Sequence, residues 1–527
     1  MKVFFRVDAS LFMGIGHFMR CLTLADALRE RDAQVRFICR EHKGHLIDKL
    51  SQKAIPVTVL PAPVITDTPE SESYAAWLGV SQADDAKESI AALNNEEPDW
   101  LVVDHYGLDV EWEKQLRPHV KKLMVIDDLA NRMHDCDILL DQNYSIEGKS
   151  RYEGLVTPTC NLLIGPRYAL LRSEYLTYRK TLRERDGQVK QVFVFFGGSD
   201  PDNITGMALK ALSKNELKHL QVDLVIGTNN QHREKLKPQV HLRGNAKIYG
   251  PRPHLADLMA KADIAIGAGG ATTLERMCLG LPTLVVSIAE NQKPSAIALA
   301  DAGLIYYAGH FSDIKQEHLS DTIKLLEASA DKLVEVSLQN MLLVDGLGTS
   351  RIVEIMFPSA IEEIRLRLAS MDDIVLYYNW VNDPEVRKSA FNVAPISWES
   401  HSGWFTEKLQ EANSRLFVLE VAGLPVGQIR FDKEGNEAHI DCSLDWIVRG
   451  RGWGSLLVSM GSDLMQLNEP IKLSAQVKAQ NIASATVFFR AGFTETENSS
   501  REVGNRLFYR EPTGVKKIAR ETKCEQR

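Results

Sequence analysis

The feature that most constrains the fold is a repeated alternation of short apolar runs with segments of helix length. The runs KVFFRVDA (2–9), AQVRFICR (33–40), DWLVVDHYG (99–107) and KKLMVIDDLA (121–130) are rich in β-branched residues and end in turn residues. Segments of mixed polarity, long enough for helices, separate them. This pattern predicts a parallel sheet with helices on both faces, because parallel neighbours need long crossover connections.

A second series with the same rhythm begins at VKQVFVFFGGSDP (189–201) and continues through ADIAIGAGG (262–270) and LPTLVVSIAE (281–290). The two series share an order of elements but no sequence repeat. We therefore predict Rossmann-like domains at residues 1–180 and 190–355, with a hinge in the charged segment between them. Ligands bind at the carboxyl ends of the strands in such sheets, so we expect the site in a cleft between the domains.

The pattern changes after about residue 355. The stretches LFVLEVAGLPVGQIRFDK (416–433) and EAHIDCSLDWIV (437–448) alternate with period two, and a glycine-rich turn and a helix follow. We predict an α+β domain over residues 362–512 and a charged tail over 513–527. The fold class expected for the whole chain is α/β, with two Rossmann-like domains followed by an α+β domain.

Composition narrows the class of protein. A chain of 527 residues is too long for one core, and 44% hydrophobic and 25% charged residues are ordinary for a soluble protein. The net charge of -8 disfavours nucleic acid as a partner. Arg6 and Asp8 interrupt the apolar start that a signal peptide needs, and no apolar run has membrane-spanning length. The seven cysteines form no CxxC pair, which favours a reducing cytoplasm and argues against a metal site.

The first strand leads into a loop with two glycines, Gly14 and Gly16, followed by His17 where a helix begins. Glycines let backbone N–H groups approach a phosphate, and a helix N-terminus adds positive potential. The run GIGHFMR lacks the third glycine of a dinucleotide fingerprint. From the loop alone, His17 either caps the helix and packs locally or takes part in chemistry.

Two glycine-rich loops recur in the second series, in FFGGSDPDN and in GAGGATTLERMCLGLP. We expect either Ser199 or Asp200 to cap the helix after the first loop. Glu275 lies one turn into the helix after the second loop, where it can accept hydrogen bonds from ribose hydroxyls or stay a solvated first-turn carboxylate. The loop residues assigned to diphosphate binding are Gly198, Ser199, Gly270, Ala271 and Thr272.

The combination of GGS, GAGGATTLE, GLP and ENQ resembles the GT-B-fold nucleotide-sugar enzymes related to the glycosyltransferase that makes lipid II. More closely, GIGHFMRCLTLADAL, VIDDLANRMHDCDILLDQN, GPRYALLRSEY and NQKPSA are similar to the hydrolase family of pseudaminic acid synthesis. That family removes UDP from UDP-2,4-diacetamido-2,4,6-trideoxy-β-L-altropyranose. The resemblance implies a UDP-sugar substrate and a general base, His17, that activates water. It also implies substrate contacts from Gly14, Gly16, Tyr106, Asn143, Arg167, Asn291 and Gln292.

The chemistry implied by this resemblance needs few groups. UDP is a stabilised leaving group, so one base on the face opposite to UDP suffices, and attack by water there inverts C1. A neutral imidazole suits the task, and a helix N-terminus disfavours the imidazolium form of His17. No carboxylate pair of the ordinary glycosidase kind stands out.

The run IVRGRGWGSLLV (447–458) has R-x-x-G-x-G spacing, and VKAQNIASATVFFRAGF (477–493) follows it. Together they resemble the GNAT-family N-acetyltransferases, whose backbone amides hold the pyrophosphate of CoA. The resemblance implies acetyl-CoA as co-substrate. The residues it assigns to acetyl-CoA are Ile447, Val448, Arg449, Gly452, Gly454, Asn481 and Ser484.

The sequence departs from the GNAT pattern at Phe488, where many members have a tyrosine that protonates the leaving thiolate. Three alternatives remain: another residue protonates the thiolate, the thiolate leaves without a protein acid, or the domain is impaired. Tyr509 cannot be placed from the sequence, no base for the amine can be named, and Trp446 is as consistent with the core as with a site.

In the pathway that the resemblance implies, acetylation of a 4-amino UDP-sugar directly precedes removal of UDP. We therefore expect a bifunctional enzyme with a UDP-sugar and acetyl-CoA as its ligands. The alternatives are a UDP-sugar glycosyltransferase, a non-catalytic nucleotide-sugar sensor, and an acetyltransferase for an amino sugar of another pathway.

Overall fold

The computed structural model of the protein describes residues 1–11, 13–63, 74–227, 229–496 and 505–512. The chain divides into two compact units, Met1–Phe357 and Pro358–Arg527. The predicted charged tail, residues 513–527, lies outside the described residues.

The first sheet has seven parallel strands in the order β3-β2-β1-β4-β5-β6-β7. Its strands β1–β7 are Lys2–Val7, Gln34–Arg40, Val57–Leu60, Trp100–Asp104, Leu123–Ile126, Ile138–Asp141 and Asn161–Ile164. Helices α1–α4 are Gly16–Arg29, Ile47–Gln52, Gln82–Ala92 and Val110–Leu116. The order of strands reverses between β1 and β4, which creates a switch point where the loops after both strands diverge.

The second sheet has six parallel strands in the order β10-β9-β8-β11-β12-β13. Strands β8–β13 are Gln191–Phe195, Gln221–Val225, Ala246–Tyr249, Ile264–Ala268, Thr283–Ser287 and Tyr306–His310. Helices α5–α9 are Ser173–Lys180, Ile204–Leu212, Arg233–Arg243, Ala256–Lys261 and Thr272–Cys278, and α10–α13 are Lys293–Asp301, Gln316–Glu327, Ala330–Leu343 and Gly348–Met356. The switch point here lies between β8 and β11, so the glycine-rich loops after these strands are neighbours.

The two parallel sheets form a GT-B-like arrangement in which the end helices cross over. Helix α5 precedes the second sheet in sequence, yet its Tyr175 is buried in the core of that sheet. Helix α13 ends the unit but packs on α1, where Arg31 Nη1 lies 3.2 Å from Glu354 Oε2. The predicted range 1–180 therefore includes α5, and the predicted range 190–355 includes all but the last residue of α13.

The charged segment that we predict as a hinge contacts helices of the second sheet. Arg183 forms an ion pair with Asp263, and Arg185 donates to the backbone carbonyls of Ala262 and Leu279. Those carbonyls end helices α8 and α9, where unpaired acceptors are available. Motion about this segment stays a prediction.

The second unit contains a mixed seven-stranded sheet in the order β14-β15-β16-β17-β18-β20-β19. Its strands β14–β20 are Ile364–Leu368, Ser414–Val421, Leu424–Glu434, Glu437–Leu444, Lys472–Lys478, Thr494–Thr496 and Asn505–Arg510. Helices α14–α18 are Ile374–Val381, Pro384–Ser389, Trp398–Gln410, Trp453–Asn468 and Ile482–Arg490. Strands β17 and β18 pair in parallel, and the other neighbours in the sheet are antiparallel. The predicted fold class is confirmed.

Candidate active sites

His17 meets a carboxylate at the switch point of the first sheet. Helix α1 begins at Gly16, so His17 lies in its first turn, and the adjacent strand β4 ends at Asp104. Because β1 and β4 are paired neighbours, the two side chains converge, and His17 Nδ1 lies 2.6 Å from Asp104 Oδ1. The Asp104 side chain is fully buried, whereas the His17 side chain keeps 11% of its surface exposed.

The charge on Asp104 fixes the proton of the ring. Burial alone would raise the pKa of Asp104, but Arg20 and His17 outweigh burial and hold that pKa well below its usual range. Arg20 Nε and Nη2 donate to the two carboxylate oxygens at 2.6 and 2.7 Å. The ionised carboxylate therefore keeps a proton on His17 Nδ1 and leaves the Nε2 lone pair available. The longer 3.2 Å approach of Arg20 Nη2 to Nδ1 brings together two donors and does not compete.

Aromatic rings surround the imidazole. The Tyr106 ring stands edge-on to the His17 ring at 4.5 Å between centroids, and the Trp77 ring lies at 6.3 Å. The Tyr106 hydroxyl donates to Asp128, which also accepts from Arg20 Nη1 at 3.0 Å. Predicted residue Tyr106 thus lies beside His17, but its hydroxyl is already hydrogen-bonded within the protein.

Sequence reasoning missed Asp104, Asp128 and Trp77. The two aspartates carried a usable signal, because each lies at or just beyond the carboxyl end of a buried apolar strand, where a charge is costly unless it is paired. Trp77 lies in a short helical turn, Tyr74–Leu78, with no pattern that marks it.

Two other predicted substrate contacts have structural partners. The backbone N–H of Asn143 donates to Asp141 Oδ1 at 2.9 Å, just after β6. The Arg167 carbonyl accepts from Arg351 Nη1 at 3.0 Å. Burial would raise the pKa of Asp345, but Arg351 and then Arg167 lower it to about 2. Arg167 therefore supports a buried ion pair, and its contact with substrate stays a prediction.

The glycine loops of the two sheets lie against each other within the first unit. Gly14 has a φ of 73°, in the left-handed region that favours glycine. A Cβ added at Gly198 would lie 3.3 Å from Ile15 Cδ1. The loop that carries His17 therefore borders the loop after β8, so the two switch points face a common space.

Helix α6, which follows the glycine loop FFGGSDPDN, is capped by Asp200 and Asn203 and not by Ser199. Asp200 accepts from the N–H groups of Ile204 and Thr205 at 2.8 and 3.1 Å, and Asn203 is the N-cap residue. Of the two capping alternatives, Asp200 is right. Ser199 stays half-buried in the loop beside Gly198.

Gln292 lies beside the glycine loop GAGG (267–270). A Cβ at Gly270 would be 3.7 Å from Gln292 Nε2, and Gln292 Oε1 accepts from the Ile288 N–H at 3.0 Å. Asn291 precedes it in the turn Glu290–Gln292 and is half-buried. Ala271 and Thr272 begin the seven-residue helix α9. The structure thus brings Gly270 and Gln292 together, whereas their contact with UDP or sugar stays a prediction.

Glu275 is not a solvated carboxylate. It is half-buried on α9, where burial raises its pKa against the opposing effects of a hydrogen bond from Tyr175 and the charge of Arg172. Tyr175 and Arg172 both come from the motif GPRYALLRSEY. That motif therefore supports helix α9, which follows the glycine loop GAGG (267–270).

The predicted acetyl-CoA loop lies between β17 and α17. Gly450 and Gly452 both have a φ of 80°, and Gly452 is the N-cap residue of the 16-residue helix α17. A Cβ at Gly454 would lie 2.9 Å from Val487 Cγ2, so the glycine lets α17 approach α18 closely. The first N–H groups of α17 have no acceptor within the helix and suit a phosphate.

The residues before that loop are more structural than we expected. Ile447 and Val448 are buried in the core, and the N–H groups of Val448 and Arg449 donate to the carbonyls of Asp445 and Trp446, both at 3.2 Å. Contact of CoA with Ile447 and Val448 stays a prediction.

The Arg449 side chain braces the same turn. Its Nε donates to the Leu444 carbonyl at 3.0 Å, and its Nη2 lies 3.0 Å from Asp383 Oδ1. Asn481 also has a structural partner, because its Oδ1 accepts from the Ser484 N–H at 3.0 Å and caps α18. CoA contacts from these residues stay predictions.

Phe488 and Tyr509 lie on opposite faces of the mixed sheet. Phe488 is buried, with ring centroids 5.3 Å from Phe493 and 5.7 Å from Phe508. Tyr509 pairs in register with Ser474, and Lys472 Nζ lies 4.0 Å from its ring centroid. Successive residues of a strand face opposite sides, so Tyr509 lies on the face away from Phe508 and α18.

Two absences hold for the described residues. None of their helices combines the length and apolar composition needed to cross a bilayer. Their His, Cys, Asp and Glu side chains include no group of three or more with metal-binding geometry.

Comparison with protein families gives two matches. Residues 192–346 match the glycosyltransferase family 28 C-terminal domain, and residues 363–494 match the acetyltransferase (GNAT) domain. The first range covers the second parallel sheet and helices α6–α12, and the second covers most of the mixed sheet.

Three relatives extend these matches. An uncharacterised protein of Methanocaldococcus jannaschii is 23% identical over 522 residues, 94% of this chain and 97% of its own length. The UDP-2,4-diacetamido-2,4,6-trideoxy-β-L-altropyranose hydrolase of Campylobacter jejuni is 29% identical over 58% of this chain and 97% of its own length. The spore coat polysaccharide biosynthesis protein SpsG of Bacillus subtilis is 23% identical over 66% of this chain and 96% of its own length.

These matches confirm the resemblance to the hydrolase in the first part of the chain and to GNAT enzymes in the last part. They support a nucleotide-sugar-processing enzyme fused to a GNAT acetyltransferase, and acetyl-CoA as the co-substrate of the second unit.

Proposed function

We propose that the chain is a bifunctional enzyme of pseudaminic acid biosynthesis. The first unit hydrolyses UDP-2,4-diacetamido-2,4,6-trideoxy-β-L-altropyranose to UDP and the free sugar. The second unit uses acetyl-CoA to acetylate the 4-amino UDP-sugar that precedes this substrate. The 29% identity to the Campylobacter jejuni hydrolase and the GNAT match over residues 363–494 support the assignment.

The observation that carries the hydrolase half is the hydrogen bond between His17 and Asp104. With a proton held on Nδ1, the Nε2 atom takes a proton from water as the water oxygen attacks C1. The bond from C1 to the UDP oxygen breaks, and UDP leaves with both electrons. Attack on the face opposite to UDP inverts C1. Asp104 neutralises the imidazolium that forms, which lowers the barrier relative to a ring without a partner.

The second sheet supplies the UDP end of the site in this proposal. The loops at Gly198 and Gly270 are expected to contact the diphosphate through backbone N–H groups. Glu275 is expected to accept from ribose hydroxyls, and Gln292 to bond a sugar acetamido group without adding charge. The contact between Ile15 and Gly198 supports this placement, because it brings the His17 loop to the edge of the diphosphate loop.

A coupled assay tests both halves. The protein is incubated with UDP-4-amino-4,6-dideoxy-β-L-AltNAc and acetyl-CoA, and products are followed by mass spectrometry. We expect free CoA, UDP and the diacetamido sugar. His17→Ala should abolish release of UDP and keep release of CoA. Absence of UDP from the acetylated intermediate with the unmodified protein would refute the hydrolase assignment.

Glycosyl transfer is the second candidate, because residues 192–346 match a glycosyltransferase family. A transferase would use a sugar or lipid acceptor in place of water. Steady release of UDP without any acceptor would exclude it, and release only when an acceptor is present would favour it over hydrolysis.

A further inference from the structure

The mixed sheet opens at one place, between β17 and β18. The two strands pair in parallel at three positions, of which His439 and Ser474 are the last. Beyond them, the residues Ile440–Leu444 and Ala475–Lys478 are not paired with each other in the described structure. The strands therefore diverge from His439 toward the glycine loop that begins α17.

His439 points to one known face of the sheet. His439 pairs with Asp432 on β16. Asp441, two residues further along β17, pairs with Arg430, so these four side chains share a face. The Arg430 guanidinium lies 5.0 Å from the centre of the Trp404 ring, which places helix α16 on that face. Helix α17 covers the opposite face.

The imidazole is held at the closed end of the opening. His439 Nδ1 lies 2.7 Å from Ser474 Oγ, and Ser474 is buried on β18. The His439 side chain nevertheless keeps 53% of its surface exposed. Hydrogen bonding by Ser474 to Nδ1 leaves Nε2 turned away from β18 and free to exchange a proton.

The charges that face the ring are mostly carboxylates. Glu434 Oε2 lies 3.8 Å from Nε2, and Glu437 Oε1 lies 3.9 Å from Nδ1. Asp432 faces it from β16 but forms ion pairs with Arg430 at 2.7 Å and with Lys408 of α16 at 3.2 Å, and Lys472 on β18 lies over the Tyr509 ring. This negative environment favours the approach of a cationic amine.

The reach of an acyl donor places its thioester near this ring. The resemblance to GNAT enzymes assigns the phosphates of the donor to the loop at Gly452, at the start of α17. Leu444, the last residue of β17, lies five residues after His439, and five residues of extended chain span about 16 Å. A donor held by its phosphates at α17 and lying along the unpaired edge of β17 brings its acyl end toward His439.

We propose that His439 is the general base of the acetyl transfer. This inference rests on the proposed acetyltransferase function and names a residue for its missing step. The amine nitrogen forms a bond to the acetyl carbon, and the bond from that carbon to sulfur breaks. The proton of the amine passes to His439 Nε2 and then to the leaving thiolate, which yields the amide and the CoA thiol. An amine that arrives as an ammonium ion first loses its extra proton to solvent.

Asp441 is the nearest competitor on the same face. Its side chain is 57% exposed, and Gln428 Nε2 donates to its Oδ2 at 3.3 Å. A solvated carboxylate is a weak base near neutral pH, whereas an imidazole is matched to that range. Return of the proton from His439 also explains how the domain can work with Phe488 in place of a tyrosine.

The test compares two matched variants of the full chain, His439→Gln and Glu434→Gln. Glutamine retains a hydrogen-bonding side chain but cannot act as a base. We expect His439→Gln to lower kcat/KM for acetyl transfer by about 10²-fold or more. Glu434→Gln should change the rate only a few-fold. Equal rates of wild type and His439→Gln on any accepted amine would overturn the proposal.

A second measurement separates this inference from the identity of the acceptor. CoA alone is titrated into the protein while the imidazole signals of His439 are followed by NMR, assigned by their absence in His439→Gln. We expect CoA to shift these signals. Unchanged signals with CoA bound would overturn the role of His439. Failure to acetylate the 4-amino UDP-sugar, with another amine accepted, would instead refute only the proposed acceptor.

Discussion

Oδ1 of Asp104, the last residue of β4, lies 2.6 Å from Nδ1 of His17, the second residue of α1. A strand and a helix of the first Rossmann-like domain thus orient one imidazole. Arg20 Nε and Nη2 donate to the same carboxylate at 2.6 and 2.7 Å. The ring is therefore neither a simple helix cap nor an isolated base. Its tautomer is set by a buried anion that Arg20 holds in place.

This relationship predicts the effect of Asp104→Asn. The amide keeps the shape but loses the charge that orients Nδ1–H and stabilises the imidazolium. We expect kcat for UDP release to fall between about tenfold and 10⁴-fold, with a smaller change in KM. Stopped assays of UDP release measure it, with acetyl transfer by the second unit as the control for folding. A kcat within a factor of two of wild type would contradict the orienting role.

Tyr106 provides a graded test of the aromatic surroundings. Tyr106→Phe removes the hydroxyl bonded to Asp128 but keeps the ring beside His17. Asp128 retains Arg20, so the loss is about one hydrogen bond, on the order of 1 kcal/mol, and kcat should fall less than about tenfold. Tyr106→Ala should reduce it further because the ring contact is lost. Similar rates for both variants would show that the hydroxyl, not the ring, is what matters.

Glu275 is expected to act on binding of the nucleotide and not on the chemical step. Glu275→Gln weakens hydrogen bonds from ribose to a charged acceptor, so we expect the Kd of UDP, measured by calorimetry, to rise about 10- to 100-fold. Tyr175→Phe removes the hydrogen bond that supports Glu275, keeps the carboxylate and should raise the Kd less. An unchanged Kd in Glu275→Gln would remove this residue from the UDP site.

Asp141 predicts a pH-dependent stability difference. Burial and the nearby Asp128 raise the pKa of Asp141 to about 7, even with Arg151 Nη1 at 2.6 Å. The folded state thus keeps a proton that the unfolded state releases near pH 4. Its stabilising contribution is complete below that pH and is lost as pH rises toward 7.

The variant Asp141→Asn stays neutral at every pH. Its Tm relative to wild type should therefore increase from about pH 5 to about pH 8, as measured by differential scanning calorimetry. Asp48→Asn, an exposed carboxylate on α2, serves as the matched control. A Tm difference for Asp141→Asn that does not change with pH would contradict the raised pKa.

The periodicity of apolar runs was sufficient for the fold class because buried parallel strands and period-two antiparallel strands leave different patterns. It gives no information on where the end helices of the first unit pack. The helix that carries Tyr175 precedes the second sheet in sequence yet packs into it, and α13 returns to the first sheet. Such crossovers depend on tertiary packing, which local pattern does not record.

The candidate sites divide in the same way. His17, Gly198, Gly270 and Glu275 followed from glycine loops at strand ends, where topology brings loops together. Their partners Asp104 and Tyr175 are distant in sequence, and only the strand order and the crossover helix bring them near. In the second unit, His439 had no local motif, because its position becomes meaningful only where β17 and β18 diverge.

The most direct measurement of the central claim uses water enriched in ¹⁸O, with the UDP-diacetamido sugar as substrate. Mass spectrometry locates the label, and time-resolved NMR identifies the anomer formed first. The account predicts ¹⁸O on C1 of the sugar with inverted configuration, none in UDP, and loss of the reaction in His17→Ala. Label in the phosphate of UDP, or undiminished turnover by His17→Ala, would contradict it.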